Sequence, residues 1–522
     1  MEIRPSAQKF LNLCAESLPE SATDEEQISV SSATKRIAGA YERFRNILEP
    51  EEIDILRRHA ISRVLYRRVS SASATVTDDP PVIVATALLQ ELIRGGYIEA
   101  ASNKLAIAIS QKIISLRQIE PGLDADLFRW LLNVVAISID RLIYPRKPEE
   151  SLVHLMYHDV YKRTTWTDNL VAEADRPAQL FVGCHRALFA AADEEIIYHY
   201  FIHHFSAWSK DQPLSAEAVN DLVHQLPKFK SDVDQIVNHS SAHRVATILK
   251  PVAVPYRIMR QLCQDAIVTT ETSLDSLSNN VRGAIQEKGG TIIRRISARA
   301  RHSVLFLLFT KTILVFLVEV PYERFFLKEI HWGALIANTL FHPILLFFLS
   351  ATVRLPSADN VEKIIEQVYK IISGDGELPT IVMQAPRQYG ALTWATFGLI
   401  YTVLFIFIFW LLTFTLDKLG FSLLAIFFFV FYLGLVSFLA MRNRRTVDEL
   451  RVLPKHESTI GVITSFIFLP VLEFGGLLSR TLQRFNIPLF LMDRILEAPF
   501  KLLIDLVEEW FVFIRERREE IV

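Results

Sequence analysis

Two stretches of this chain, Thr393 to Leu416 and Phe421 to Met441, carry no charged side chain at all, and only Asp417, Lys418, Leu419 and Gly420 stand between them. An apolar run of about 20 residues is the length that takes a helix across a hydrocarbon layer. Helices apolar on every face cannot be covered by an ordinary soluble core. Within a bilayer every backbone polar group must be satisfied inside its own segment, so such runs fold as helices. Two of them joined by a few residues form an antiparallel hairpin, with spans expected at 391–416 and 420–441.

A second pair of runs, 303–320 and 333–353, predicts another hairpin and completes a membrane domain over 301–441. The first run holds Lys311 at its centre and Glu319 near its end. A mid-span lysine costs about 2.5–3.5 kcal/mol on insertion scales, which the surrounding Leu, Phe, Ile and Val offset. His342 falls near the middle of the next run, so Lys311 and His342 lie at similar depth and form a candidate intramembrane polar pair. The competing reading extends the Lys311 ammonium toward the headgroups and leaves His342 as a kink residue before Pro343. No acidic residue is expected at mid-depth.

Flanking charge sets the orientation, because Lys and Arg in short flanks stay on the cytoplasmic side. Arg294, Arg295, Arg299 and Arg301 precede the first run, and Arg442, Arg444 and Arg445 follow the fourth; the two hairpin loops offer only Arg324, Lys328 and Lys418. The expectation is an inner or plasma membrane protein with a cytoplasmic N-terminal domain and these arginines at the membrane surface. A fifth apolar stretch, 459–478, is interrupted by Pro470, Glu473 and the Gly475-Gly476 pair. It reads as a re-entrant or interfacial segment, with a full span as the alternative. Beyond it, Met492, Leu496, Phe500, Leu503, Val507, Trp510 and Ile514 repeat at helical spacing, so 442–522 is expected to end in a cytoplasmic amphipathic tail. A shorter amphipathic helix is predicted from Val361 to Ile372, opened by an Asp359-x-x-Glu362 capping pattern and stopped at Gly374.

The part before residue 300 differs in kind. Of 35 phenylalanines it holds eight. Residues 1–29 read as a disordered acidic tail and 30–300 as a cytosolic α-helical domain, with apolar helical patterns at Val82 to Ile98, Leu105 to Ile114, Asp126 to Ile143, Ala178 to Phe205 and Ala242 to Ala300. Strand signals are sparse, so the fold class is all-α: a helical cytosolic domain, a polytopic helical membrane domain of four spans with a fifth as the alternative, and an amphipathic C-terminal helix. Three widely spaced cysteines, Cys14, Cys184 and Cys263, fit a reducing compartment rather than a disulfide framework. Balanced charge, 56 Lys and Arg against 58 Asp and Glu, argues against nucleic acid as a partner. One helix does present Arg57, Arg58, Arg63, Arg67 and Arg68 on a face, which reads either as an anion-binding surface or as an acid-paired one.

Glu195, His199 and His203 are spaced i, i+4, i+8, which places a carboxylate and two imidazoles on one helix face and makes them a candidate metal set. Core histidines beside the apolar stripe of Leu180, Phe181, Cys184 and Leu188 explain the same residues. No GxxxxGK[ST] loop, GxGxxG turn, GxSxG elbow or kinase signature occurs. No catalytic residue is therefore assigned and no cofactor is expected. What remains is a membrane-tethered scaffold or partner-binding protein whose partners are the lipid bilayer and other proteins, or copies of itself, met through amphipathic helices. The alternatives are a small channel or transporter built on Lys311 and His342, and a metal-dependent enzyme in the soluble domain.

Overall fold

The computed structural model describes residues 3–16, 53–70, 79–167, 170–210, 212–264, 274–351, 357–385, 390–448, 451–453, 466 and 468–477. It is an all-α protein with almost no strand, and it divides into two compact units, Lys9–Leu249 with Ile487–Val522 and Met1–Gln8 with Lys250–Asn486. The tail expected over 478–522 lies outside the described residues, as do 459–465 and 467 of the fifth apolar stretch.

α1 (Pro5–Glu16) replaces the disorder expected for those residues. Ala7, Phe10, Leu11 and Cys14 share one face of it and are buried, and that stripe is reason enough for a helix. Residues 17–29, the rest of the expected tail, lie outside the described residues.

The first unit is built from α2 (Ile53–Val69), α3 (Pro81–Arg94), α4 (Asn103–Ile119), α5 (Ala125–Ile143), α6 (Lys147–Arg163), α7 (Arg176–Phe189), α8 (Asp193–His204), α9 (Ala216–Val237) and α10 (Ala242–Leu249), with a three-residue strand at Thr164–Trp166. α2 packs on α5, α3 on α4, α5 on α8 and α7 on α10. Buried side chains of α2 to α5, α8 and α9, with Val182 of α7 and Ala242 of α10, form one continuous core that includes Trp208 and Phe201. The starts follow ordinary capping chemistry: Ser102, Asp124 and Ser215 each accept a backbone N–H three residues on. The single pattern expected from Ala178 to Phe205 breaks where Ala190 turns left-handed (φ 51°), giving two helices.

The second unit begins with α11 (Ala253–Gln264) and α12 (Leu274–Leu314), which continues without a break through two π-helical turns, Val315–Glu319 and Glu323–Leu327. Pro321 sits between those turns, and its missing N–H is where an α-helical ladder would fail. The first span thus reaches Leu327, past the boundary expected at residue 320. α13 (Trp332–Ala351), α14 (Ala358–Ser373), α15 (Ala391–Lys418), α16 (Leu423–Asp448) and α17 (Phe468–Leu477) follow, with a three-residue strand at Ile381–Met383. Four helices are long and apolar enough to cross a membrane: Leu277–Leu327, Trp332–Ala351, Ala391–Lys418 and Leu423–Ala440. α12 packs on α13, and α13 on α16; α15 touches the bundle through α16.

α14 stops at Gly374, whose φ of 79° is the left-handed conformation a helix stop requires, but its N-cap position is Ser357 rather than Asp359. Its apolar stripe, Ile364, Val368, Ile371 and Ile372, is fully covered within the unit by packing against α11 and α12. That face is therefore not open to a partner. Arg4 N–H donates to Ile372 O (3.0 Å), and Asn360 Oδ1 accepts from Val452 N (2.9 Å) and Leu453 N (3.1 Å), which pins the chain after α16.

Cys184 is a buried free thiol, and neither Cys14 nor Cys263 is a free thiol. Cysteine usage therefore gives no argument for a reducing compartment.

Candidate functional site

Lys311 projects from the middle of α12's apolar segment and is completely buried. Its Nζ donates to Asn338 O and to Asn338 Oδ1, both at 2.6 Å, and lies 3.0 Å from His342 Nδ1. An ammonium has three hydrogens, and all three have an acceptor on α13. The ring of Tyr432 covers it at 4.9 Å. Residues 338 and 342 are one helical turn apart, so α13 presents both on the face it turns to α12.

His342 Nε2 lies 2.9 Å from Phe429 O. A carbonyl can only accept, so Nε2 carries the hydrogen and the Nδ1 lone pair is left to accept from Lys311. Asn338 is used at every polar atom: its amide Nδ2 donates to Glu319 Oε2 (3.1 Å) and Oε1 (3.3 Å) and approaches Ala425 O at 3.5 Å. Glu319, the last residue of the first π-helical turn, is fully buried. Glu319, expected near the end of the first apolar run, lies eight residues before the end of the extended helix at Leu327 and shares Asn338 with Lys311. Glu323 is buried as well, and its Oε2 accepts the His331 N–H at 2.9 Å.

The structure thus brings Lys311 and His342 together and adds Glu319, Asn338 and Tyr432. Asn338 could have been found by asking which polar residue shares His342's face one turn away. Glu319 is visible near the end of the first apolar run, but spacing alone does not pair it with Asn338.

The candidate metal set is not assembled. Glu195 accepts from Arg58 Nη2 (3.5 Å) and from Arg141 Nη2, His203 is exposed, and the His199 ring packs on His185 with centroids 4.6 Å apart. No three metal-ligand side chains converge among the described residues. Burial alone would raise the Glu195 carboxyl, but Arg58, Arg141 and Arg146 outweigh it and hold it below its ordinary value. Burial pushes His185 and His199 down to about 3, helped at His185 by His199 and at His199 by Arg141. These are core histidines.

The basic helix face is likewise absorbed. Arg57 Nε and Arg58 Nε grip the two oxygens of fully buried Asp140 at 2.5 and 3.2 Å, Arg57 Nη2 also holds Asp54 (2.9 Å), and Arg146 closes on Asp54 from the other side. Burial opposes ionisation of Asp54, yet Arg146 and Arg57 keep its carboxyl below the usual range. Arg67 pairs with Glu91 at 2.6 Å.

Of the surface arginines, Arg294 and Arg301 are exposed on α12. Arg295 and Arg299 stand on the same helix and Arg442, Arg444 and Arg445 on α16, but the side chains of these five lie outside the described residues. Comparison with protein-family models, with curated proteins and with solved structures returned no match.

Proposed function

We propose that this chain is a multi-pass protein of the cell membrane that anchors a helical domain at the cytoplasmic face and serves as a scaffold for protein partners. The observation that carries this reading is the closure of the Lys311 network. All three ammonium hydrogens, every polar atom of Asn338 and both ring nitrogens of His342 are engaged within α12, α13 and α16, which leaves the cluster to tie three spans together rather than to hold a substrate. The orientation rests on flanking charge: the arginines before the first span and after the fourth favour the cytoplasmic side. With the apolar face of α14 covered, partner contact falls to the amphipathic segment at 492–514.

A proton or cation pathway is the second reading, favoured by the Glu319 carboxylate in the same network. Purified protein in liposomes decides between them. The scaffold predicts proton and alkali-cation flux equal to that of empty liposomes, for wild type and Lys311→Met alike. Flux in the wild type that vanishes with Lys311→Met would overturn it.

A further inference from the structure

α12 leaves its apolar segment as one continuous helix, and beyond that segment it carries Arg294 and Arg301 seven residues apart. Seven residues make almost two full turns, so both side chains leave the same face about 10 Å apart along the axis. Both are exposed, and neither is paired with a carboxylate among the described residues; Arg294 Nη2 donates to the neutral Thr291 Oγ1 at 3.3 Å. Arg282, further from the span, differs: its Nη2 is tied to Glu362 Oε1 at 2.7 Å. Arg301 stands two residues before the apolar run begins at Ser303, where an arginine stem lies along apolar surface and its guanidinium sits at headgroup depth. The one acidic residue in register with the pair, Glu287, is a further seven residues from the span.

We propose that Arg294 and Arg301 form a recognition site for the phosphate of an anionic phospholipid in the leaflet around the first span. A planar guanidinium matches phosphate oxygens two at a time, and a lipid without a compensating ammonium keeps its full negative charge for the pair. The inference rests on α12 crossing a bilayer, which nanodisc incorporation reports separately.

The full-length chain is reconstituted in nanodiscs holding equal phosphatidylglycerol and phosphatidylcholine, moved to detergent, and its retained lipid measured by native mass spectrometry. Wild type retains phosphatidylglycerol in excess. Arg294→Gln with Arg301→Gln lowers the retained ratio by about 30-fold, the equivalent of about 1 kcal/mol per arginine, while Arg282→Gln leaves it unchanged. Equal retention of the two lipids by wild type, or an unchanged ratio in the double variant, overturns the site. So does inorganic phosphate that strips phosphatidylglycerol as completely as the double substitution, because the site would then belong to free phosphate. Wild type that fails to enter nanodiscs defeats the membrane reading and this one together; entry without lipid preference defeats this one alone.

Discussion

Both units bury charge, and they do so in opposite surroundings. In the first unit Arg57, Arg58, Asp140, Asp54 and Glu195 form an ion cluster, and among the described residues only a few large apolar side chains such as Val82, Ile83 and Tyr161 are exposed. In the second, Lys311, Glu319 and Asn338 sit inside while Leu392, Leu399, Ile406, Phe316 and Leu423 face outward. The first is ordered as a protein in water is, the second as a protein in lipid is. Their internal chemistry differs to match: arginine forks against carboxylates in one, and in the other a lysine held by an amide and an imidazole, with the carboxylate joined through the same amide. The lesson is that buried charge alone does not distinguish the two solvents, whereas what surrounds it does.

The largest effect expected is on the first unit. Asp140→Ala removes the fully buried partner shared by two buried arginines, leaving each only its part-exposed second carboxylate, and breaking a buried pair in this way costs about 3–5 kcal/mol. Hydrogen exchange at the amides of α2 and α5 should quicken by that free energy while the amides of α12 and α13 stay as they were. Spread of the effect into the apolar helices would break the division into two independent units.

Acid gives the next largest effect. His185 and His199 are held near 3 by burial, so between about pH 6.5 and pH 3 the unfolded chain binds protons that the folded one refuses. Stability from these groups is fully present above about pH 6.5 and falls as the pH drops. At pH 5.5, about one unit below the ordinary imidazole value, each imidazole accounts for on the order of 1 kcal/mol. Exchange protection of α7 and α8 should decline over this range and do so less in His185→Gln/His199→Gln; equal decline in both would place the acid sensitivity elsewhere.

The all-α class and the four apolar helices were legible from periodicity and run length, because hydrocarbon length and helical rise are fixed by geometry. The polar network was legible only in half. Lys311 and His342 stand out as charge and imidazole in apolar runs, but Asn338 is uncharged, and the place of Glu319 depends on two π-helical turns around Pro321 that no hydrophobic pattern encodes. In the first unit, spacing put Glu195, His199 and His203 on one face; it could not tell that Arg58 and Arg141 arrive from other helices to claim the carboxylate. Local periodicity decides which face a residue occupies, and the partner on that face comes from residues far away in sequence.

Close backbone packing in the apolar unit gives a smaller and more local test. A Cβ on Gly475 of α17 would overlap the carbonyl oxygen of Gly434 on α16, so the two helices meet backbone to backbone as small-residue contacts in lipid do. Gly475→Ala should cost about 1–3 kcal/mol of overpacking and loosen Tyr401, whose hydroxyl donates to Glu473 Oε2 at 2.6 Å. Unchanged melting in mild detergent would mean that α17 is not held against α16.

The smallest effect is the one that separates the two solvents most sharply. Asn338→Leu withdraws one of Lys311's three acceptors, Oδ1, and the Nδ2 donor to Glu319, while Asn338 O and His342 Nδ1 still accept from Lys311. In water such a deletion beside a buried ammonium would cost as much as Asp140→Ala. In lipid the unfolded reference still consists of inserted helices whose polar groups find other partners, so measured interhelical hydrogen bonds there are worth about 0.6–1.7 kcal/mol. Unfolding of the full chain by denaturing detergent should therefore shift by about that amount. A loss of the size expected for Asp140→Ala would mean that Lys311 has no second partner to turn to, and that the apolar helices unfold into water rather than within a bilayer-like phase.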